Sequence, residues 1–130
     1  MKRIIALCAV VLCVAVWQLL SYGAQPDHHG KPFAGLAPVA LGDLAERPRE
    51  LYRREVRVEG RVKSQCPAVG CWFVLTDASG HEVRVEMGDT VAGLPARLGW
   101  RAAVEGQLIP YGDHSVFIGV AVEFTRGGPR

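Results

Sequence analysis

Charge of either sign is not in surplus. The formal +2 comes from Lys2 and Arg3, and once these are set aside the remaining basic residues equal the 13 acidic ones. A neutral body gives no electrostatic footing for nucleic acid, whose phosphates call for a basic surface. Catalytic signatures are missing as well. There is no G-x-S-x-G, no phosphate-cradling glycine loop, no zinc-protease histidine pair and no carboxylate pair beside a histidine, so the chain is read as a non-enzyme. Cysteine is scarce at 4 residues. Cys8 and Cys13 sit in an apolar stretch behind Leu7 and Leu12, where a lipidation signal would need a small residue, which leaves Cys66 and Cys71 for the folded part. At 130 residues the length excludes a second domain.

What is present begins with a targeting segment. Met1-Lys2-Arg3 precedes an uncharged run from Ile4 to Leu20, the basic n-region and apolar h-region of an export signal. Residues 1–24 are expected to be a signal peptide or a membrane anchor. Ser21-Tyr22-Gly23 offers a small-x-small cleavage site, while the run as a helix reaches about 26 Å, just short of the ~30 Å hydrocarbon core, so both outcomes stay open. The expected location is periplasmic, with tethering to the inner membrane if the segment is retained. Residues 25–40 carry Pro, Gly, Asp and His with no period and are expected to form a flexible linker, His28-His29 being solvated rather than metal-bound.

From residue 41 to 126 the sequence predicts one all-β domain. Asp43 is a candidate N-cap for a short helix running toward Tyr52. The period then drops to two. Val56, Val58, Gly60 and Val62 alternate with charged residues, Trp72 to Thr76 is apolar on both faces, and Val83, Val85 and Met87 alternate again. Asp77-Ala78-Ser79-Gly80 should turn the second strand into the third. After a Gly- and Pro-broken stretch, Arg101 to Leu108 and Val116 to Phe124 make two more strands around Pro110-Tyr111-Gly112-Asp113. Val58-Glu59-Gly60-Arg61-Val62 recurs as Val104-Glu105-Gly106-Gln107-Leu108, with a mid-strand glycine where a small closed sheet must coil. Together these point to a five-stranded Greek-key barrel of the OB type, preceded by the short helix and the apolar N-terminal helix.

The concentrated chemical signal is Cys66-Pro67-Ala68-Val69-Gly70-Cys71-Trp72, between the first and second barrel strands. Pro67 and Gly70 supply turn geometry that can bring both sulfurs together. Two readings remain open. In an oxidising compartment Cys66 and Cys71 form a disulfide that pins the loop, a weak staple because the closed loop is short. Alternatively they are thiolate ligands for copper or zinc, with haem iron ranked behind. A third ligand would come from His114, ahead of His81 and Met87, because His114 lies in the loop between the fourth and fifth strands, beside the cysteine loop in such barrels. Trp72 and Tyr111 are the aromatic candidates flanking that loop. The basic stretch from Arg47 to Lys63 is interleaved with Glu46, Glu50, Glu55 and Glu59 and reads as a solvated face. The expected partners are a metal or an envelope protein, with membrane contact through the N-terminal segment and no nucleic acid.

Val56 to Val62, Cys66 to Trp72 and Val83-Arg84-Val85 together resemble a bacterial family of exported domains of unknown function, marked by a C-x4-C-W segment of the G-C-W type after a V-x-V-x-G strand. The resemblance covers residues 41–124 and implies an OB-like fold without an assigned activity. A looser similarity is to the periplasmic haem chaperone of cytochrome c maturation, an N-terminally anchored OB barrel. That family carries a histidine and a tyrosine in a tail after the barrel, whereas this chain ends Thr125-Arg126-Gly127-Gly128-Pro129-Arg130, so the similarity implies architecture alone.

Overall fold

In the computed structural model, residues 1–22, 27–67, 71–89, 91 and 93–127 are described. Gly23 and Ala24 of the cleavage options, the start of the linker, Ala68 to Gly70 of the cysteine loop and the last three residues fall outside them. Lys2–Tyr22 is a helix, α1, with none of its residues buried. It is long and apolar enough to cross a membrane.

The period-two segments form the expected strands: β2 (Glu55–Gln65), β3 (Trp72–Thr76), β4 (Glu82–Met87), β5 (Arg101–Tyr111) and β6 (His114–Thr125). β2 pairs antiparallel with β3, β3 with β4, and β5 with both β2 and β6. The parallel pairing of β4 with β6 closes the ring. This is a closed five-stranded mixed barrel with the OB order, as the sequence predicts. Alternation sends Val58, Phe73, Leu75, Val85, Val104, Phe117 and Val122 inward with no exposed surface, and Phe73 meets Phe124 edge to face at 5.7 Å. The repeated glycines answer to close backbone approach: a Cβ on Gly106 would lie 2.0 Å from the Ile118 carbonyl oxygen, and one on Gly60 would lie 2.9 Å from that of Thr76. Gly106 also sits where the β5–β6 register slips, a bulge that bends the ring.

Two local expectations are corrected. The segment before the barrel is one expected helix but two observed ones, α2 (Leu41–Glu46) and α3 (Pro48–Leu51), because Pro48 cannot continue the first and instead opens the second. The cap of α2 is Ala40, not Asp43. Asp43 lies in the first turn and binds Arg47 at 2.8 Å.

The expected linker at 25–40 is likewise ordered from Asp27 onward. Asp27–Gly30 forms a sixth strand, β1, antiparallel to the outer end of β6, with Asp27 opposite Phe124. Beyond it the backbone N–H groups of Ala34 and Leu36 donate to the two carboxylate oxygens of Glu105 at 2.7 and 3.0 Å, and Val39 N–H donates to Arg57 C=O. Glu105 is 3% exposed. Its burial is tolerable because both oxygens accept charge-assisted bonds, so the segment is strapped to the barrel.

Candidate functional site

The hairpin turn of β3 and β4 forms as the Asp-Ala-Ser-Gly sequence requires. The Asp77 carboxylate accepts the N–H groups of Ser79 and His81 at 2.9 Å each, and His81 Nδ1 lies 3.1 Å from its other oxygen. Burial acts to raise the Asp77 carboxyl, but the hydrogen bonds from His81 outweigh it and hold the group below its ordinary value. His81 is therefore committed to the turn and half-buried. Met87 packs against the core, its sulfur 2.7 Å from where a Gly119 Cβ would stand. Neither belongs to the cysteine loop as a ligand.

The cysteine loop leaves β2 and returns to β3 at one rim of the barrel. Cys66 N–H donates to the Trp72 carbonyl at 3.0 Å, and Met87 N–H donates to that of Cys71 at 3.4 Å. These contacts anchor the loop's two ends and bring the sulfurs together: the Cys71 thiol donates to Cys66 Sγ across 3.1 Å. Cys71 is exposed and Cys66 half-buried. The bond to Cys66 is the main reason the Cys71 thiol is pushed above 9.0, with desolvation and the charge of Cys66 adding to it.

Phe73 and Trp72 face opposite ways, as strand alternation requires. Phe73 is in the core, and Trp72 lies on the outer sheet face with the Arg84 guanidinium 4.6 Å above its ring. Arg84 is held by Glu86 at 3.0 Å. Both line a cleft of about 390 Å³ whose far side is Tyr111 and His114. Tyr111 and His114 are paired across the tip of the β5–β6 hairpin, their rings 5.4 Å apart. The cleft thus runs over the outer face of β4 and β6, with Trp72 and the cysteine loop toward one side and the Tyr111–Gly112–Asp113–His114 tip at the other.

Of the residues singled out from sequence, the structure brings Cys66 and Cys71 together and sets Trp72 beside them in the chain. His114 and Tyr111 share the outer face but not the sulfur site. Among the described residues no group of three or more His, Cys, Asp or Glu could hold a metal ion, and the His114 ring is turned to Asp113, its Nδ1 3.1 Å from the carboxylate. That hydrogen bond holds the Asp113 carboxyl below its ordinary value. In this arrangement His114 is not grouped with Cys66 and Cys71. Sequence reasoning missed Arg84, although its register signals the role: Trp72 is opposite Glu86 and Val74 opposite Arg84, so Arg84 is the diagonal neighbour of Trp72 on the same face.

No protein-family model and no curated protein matches the chain. Among solved structures it is similar to a chain described as an aspartyl-tRNA synthetase from Leishmania major Friedlin, at 18% identity and a TM-score of 0.57, over 87% of this chain and 26% of that one. At that identity the likeness bears on the barrel fold alone. The chain spans about a quarter of the protein it matches.

Proposed function

We propose that this is an exported, membrane-anchored OB-fold binding protein that takes a single Cu(I) ion between the sulfurs of Cys66 and Cys71. One observation carries the reading: two thiols 3.1 Å apart at the barrel rim, one of them exposed, with no third His, Cys, Asp or Glu grouped with them among the described residues. Soft thiolates select Cu(I), which is content with few ligands, whereas structural Zn(II) closes its shell at four. At metal–sulfur bonds of about 2.3 Å a two-coordinate ion needs its sulfurs roughly 4.5 Å apart, so they must open on loading. Rotation of the exposed Cys71 side chain can supply that movement. The apolar α1 helix supports export and anchoring, and membership of the exported G-C-W family belongs to the same proposal. Binding rather than catalysis is the proposed role.

A second reading has its own support in the same distance. The sulfurs stand about 1 Å beyond the ~2.05 Å of a disulfide, so an oxidising envelope could close them into a pin for the loop. Full-length protein extracted from membranes decides between the two. After anaerobic reduction it is titrated with Cu(I) against a chromophoric Cu(I) chelator. One equivalent withdrawn, and none withdrawn by Cys66→Ser/Cys71→Ser, supports the copper site. A reduced protein that leaves all copper with the chelator overturns it and leaves the pin.

A further inference from the structure

The pairing of β1 with β6 determines which part of the barrel lies beside the membrane. Tyr22, the last residue of α1, is joined to Asp27 by four residues in sequence, and five residue steps reach at most about 18 Å. Asp27 is opposite Phe124, near the end of β6, and its carboxylate is gripped by Arg97, with Nε at 2.9 Å and Nη2 at 2.8 Å. Asp27 therefore stands within that reach of the helix end, and the barrel surface around Arg97 adjoins it.

That surface has the composition of a membrane-facing patch. Arg97 stacks on Trp100 at 4.6 Å and Arg126 covers the same ring at 5.4 Å. Leu98, at the tip of the turn between them, is 61% exposed. The register sets Arg61 opposite Arg101 and Arg101 opposite Thr125, so three strands deliver arginines to one end of the sheet. Among the described residues, Arg61, Arg101 and Arg126 make no ion pair. Arg61 donates instead to the Gly99 carbonyl at 2.7 Å. Glu59 and Glu123 line the adjoining depression with Arg101 and Arg126, but Glu59 is held by Arg57 at 2.9 Å and Glu123 faces His28 at 3.7 Å.

We infer that this face, Arg61, Arg97, Leu98, Trp100, Arg101 and Arg126, docks on anionic phospholipid headgroups and so fixes the orientation of the barrel on the membrane. The guanidiniums of Arg61, Arg101 and Arg126, which have no acidic partner among the described residues, are attracted to an anionic leaflet once tethered close to it. Arg97, neutralised by Asp27, positions Trp100, and a tryptophan with an exposed leucine is suited to the headgroup boundary. The neutral overall charge does not oppose this, because attraction falls off within about 10 Å and is set by the nearest face. Docking also turns the opposite side of the molecule outward. The inference rests on the anchoring half of the proposed function and is independent of the copper half.

The test uses the full chain in nanodiscs of phosphatidylcholine, with or without phosphatidylglycerol, read by amide hydrogen exchange. Exchange at Leu98 to Trp100 and at Arg126 is expected to slow several-fold in the anionic discs only. Arg101→Gln/Arg126→Gln should abolish the difference while β3 amides keep their wild-type protection. Equal exchange in both discs, or an undiminished effect in the double variant, overturns the docking. Protection reproduced in neutral discs by inorganic phosphate assigns the patch to a soluble anion and overturns the lipid assignment. A chain whose mass shows α1 removed during export overturns the anchoring premise, an outcome distinct from equal exchange in an anchored chain.

Discussion

Cys71 donates its thiol proton to the sulfur of Cys66, and this contact more than burial holds that proton above the ordinary value of 9.0. Cys66→Ala removes the acceptor. The Cys71 thiol should then titrate closer to 9.0, and its alkylation by iodoacetamide on the reduced protein should accelerate at mildly alkaline pH. Because metal loading must displace that proton, apparent Cu(I) affinity of the wild type should rise with pH until Cys71 is ionised. An alkylation profile unchanged by Cys66→Ala would remove the hydrogen bond from the description.

Gly106 is the barrel glycine with the tightest backbone approach among those described. A Cβ there falls 2.0 Å from a backbone oxygen of the neighbouring strand, which cannot yield as a flexible side chain would. Gly106→Ala is expected to destabilise the domain by about 3 kcal/mol, near the upper end of overpacking effects. Urea unfolding followed by far-UV circular dichroism measures it. A midpoint within error of the wild type would contradict the close approach.

Glu105 tests the strap. Glu105→Ala leaves the Ala34 and Leu36 N–H groups without their acceptor, at a cost of about 1–3 kcal/mol for each buried donor left unsatisfied. Faster amide exchange is expected at those two residues, and Glu105→Gln should fall between the variant and the wild type. If Ala34 and Leu36 exchange at wild-type rates in Glu105→Ala, they are held by something else.

Asp27 gives a pH dependence of definite sign. Burial acts to raise its carboxyl, but the His29 ring, Nε2 2.9 Å from one oxygen, and the hydrogen-bonded Arg97 guanidinium prevail and hold it below 3.8. A carboxylate lowered in the folded state contributes stability that is complete above its unfolded value and is lost as the pH falls toward the lowered one. The wild type should therefore lose stability below about pH 4, with a shallower slope in Asp27→Asn, as thermal melts across that range would show. Parallel slopes would mean that Asp27 carries no linked proton.

The five barrel strands, the β3–β4 turn and both coiling glycines were legible because each is written locally, in period-two alternation and in turn residues. β1 was not. Asp27-His28-His29-Gly30 has no apolar face and is held through backbone pairing with a strand almost a hundred residues away. Glu105 was also hidden, because an acid in an alternating strand reads as outward-facing until a distant segment covers it. In the candidate site, proximity of the two thiols followed from a short Pro- and Gly-bearing loop. The position of His114 required knowing how the β5–β6 tip turns, and there its ring is taken up by Asp113 and Tyr111.

X-ray absorption at the copper edge, on Cu(I)-loaded full-length protein, counts the ligands directly. Two sulfur neighbours without an imidazole signal is the expected result, in keeping with Cys66 and Cys71 standing 3.1 Å apart and His114 turned elsewhere. A nitrogen shell from imidazole, or the same spectrum from Cys66→Ser/Cys71→Ser, would contradict the two-sulfur site.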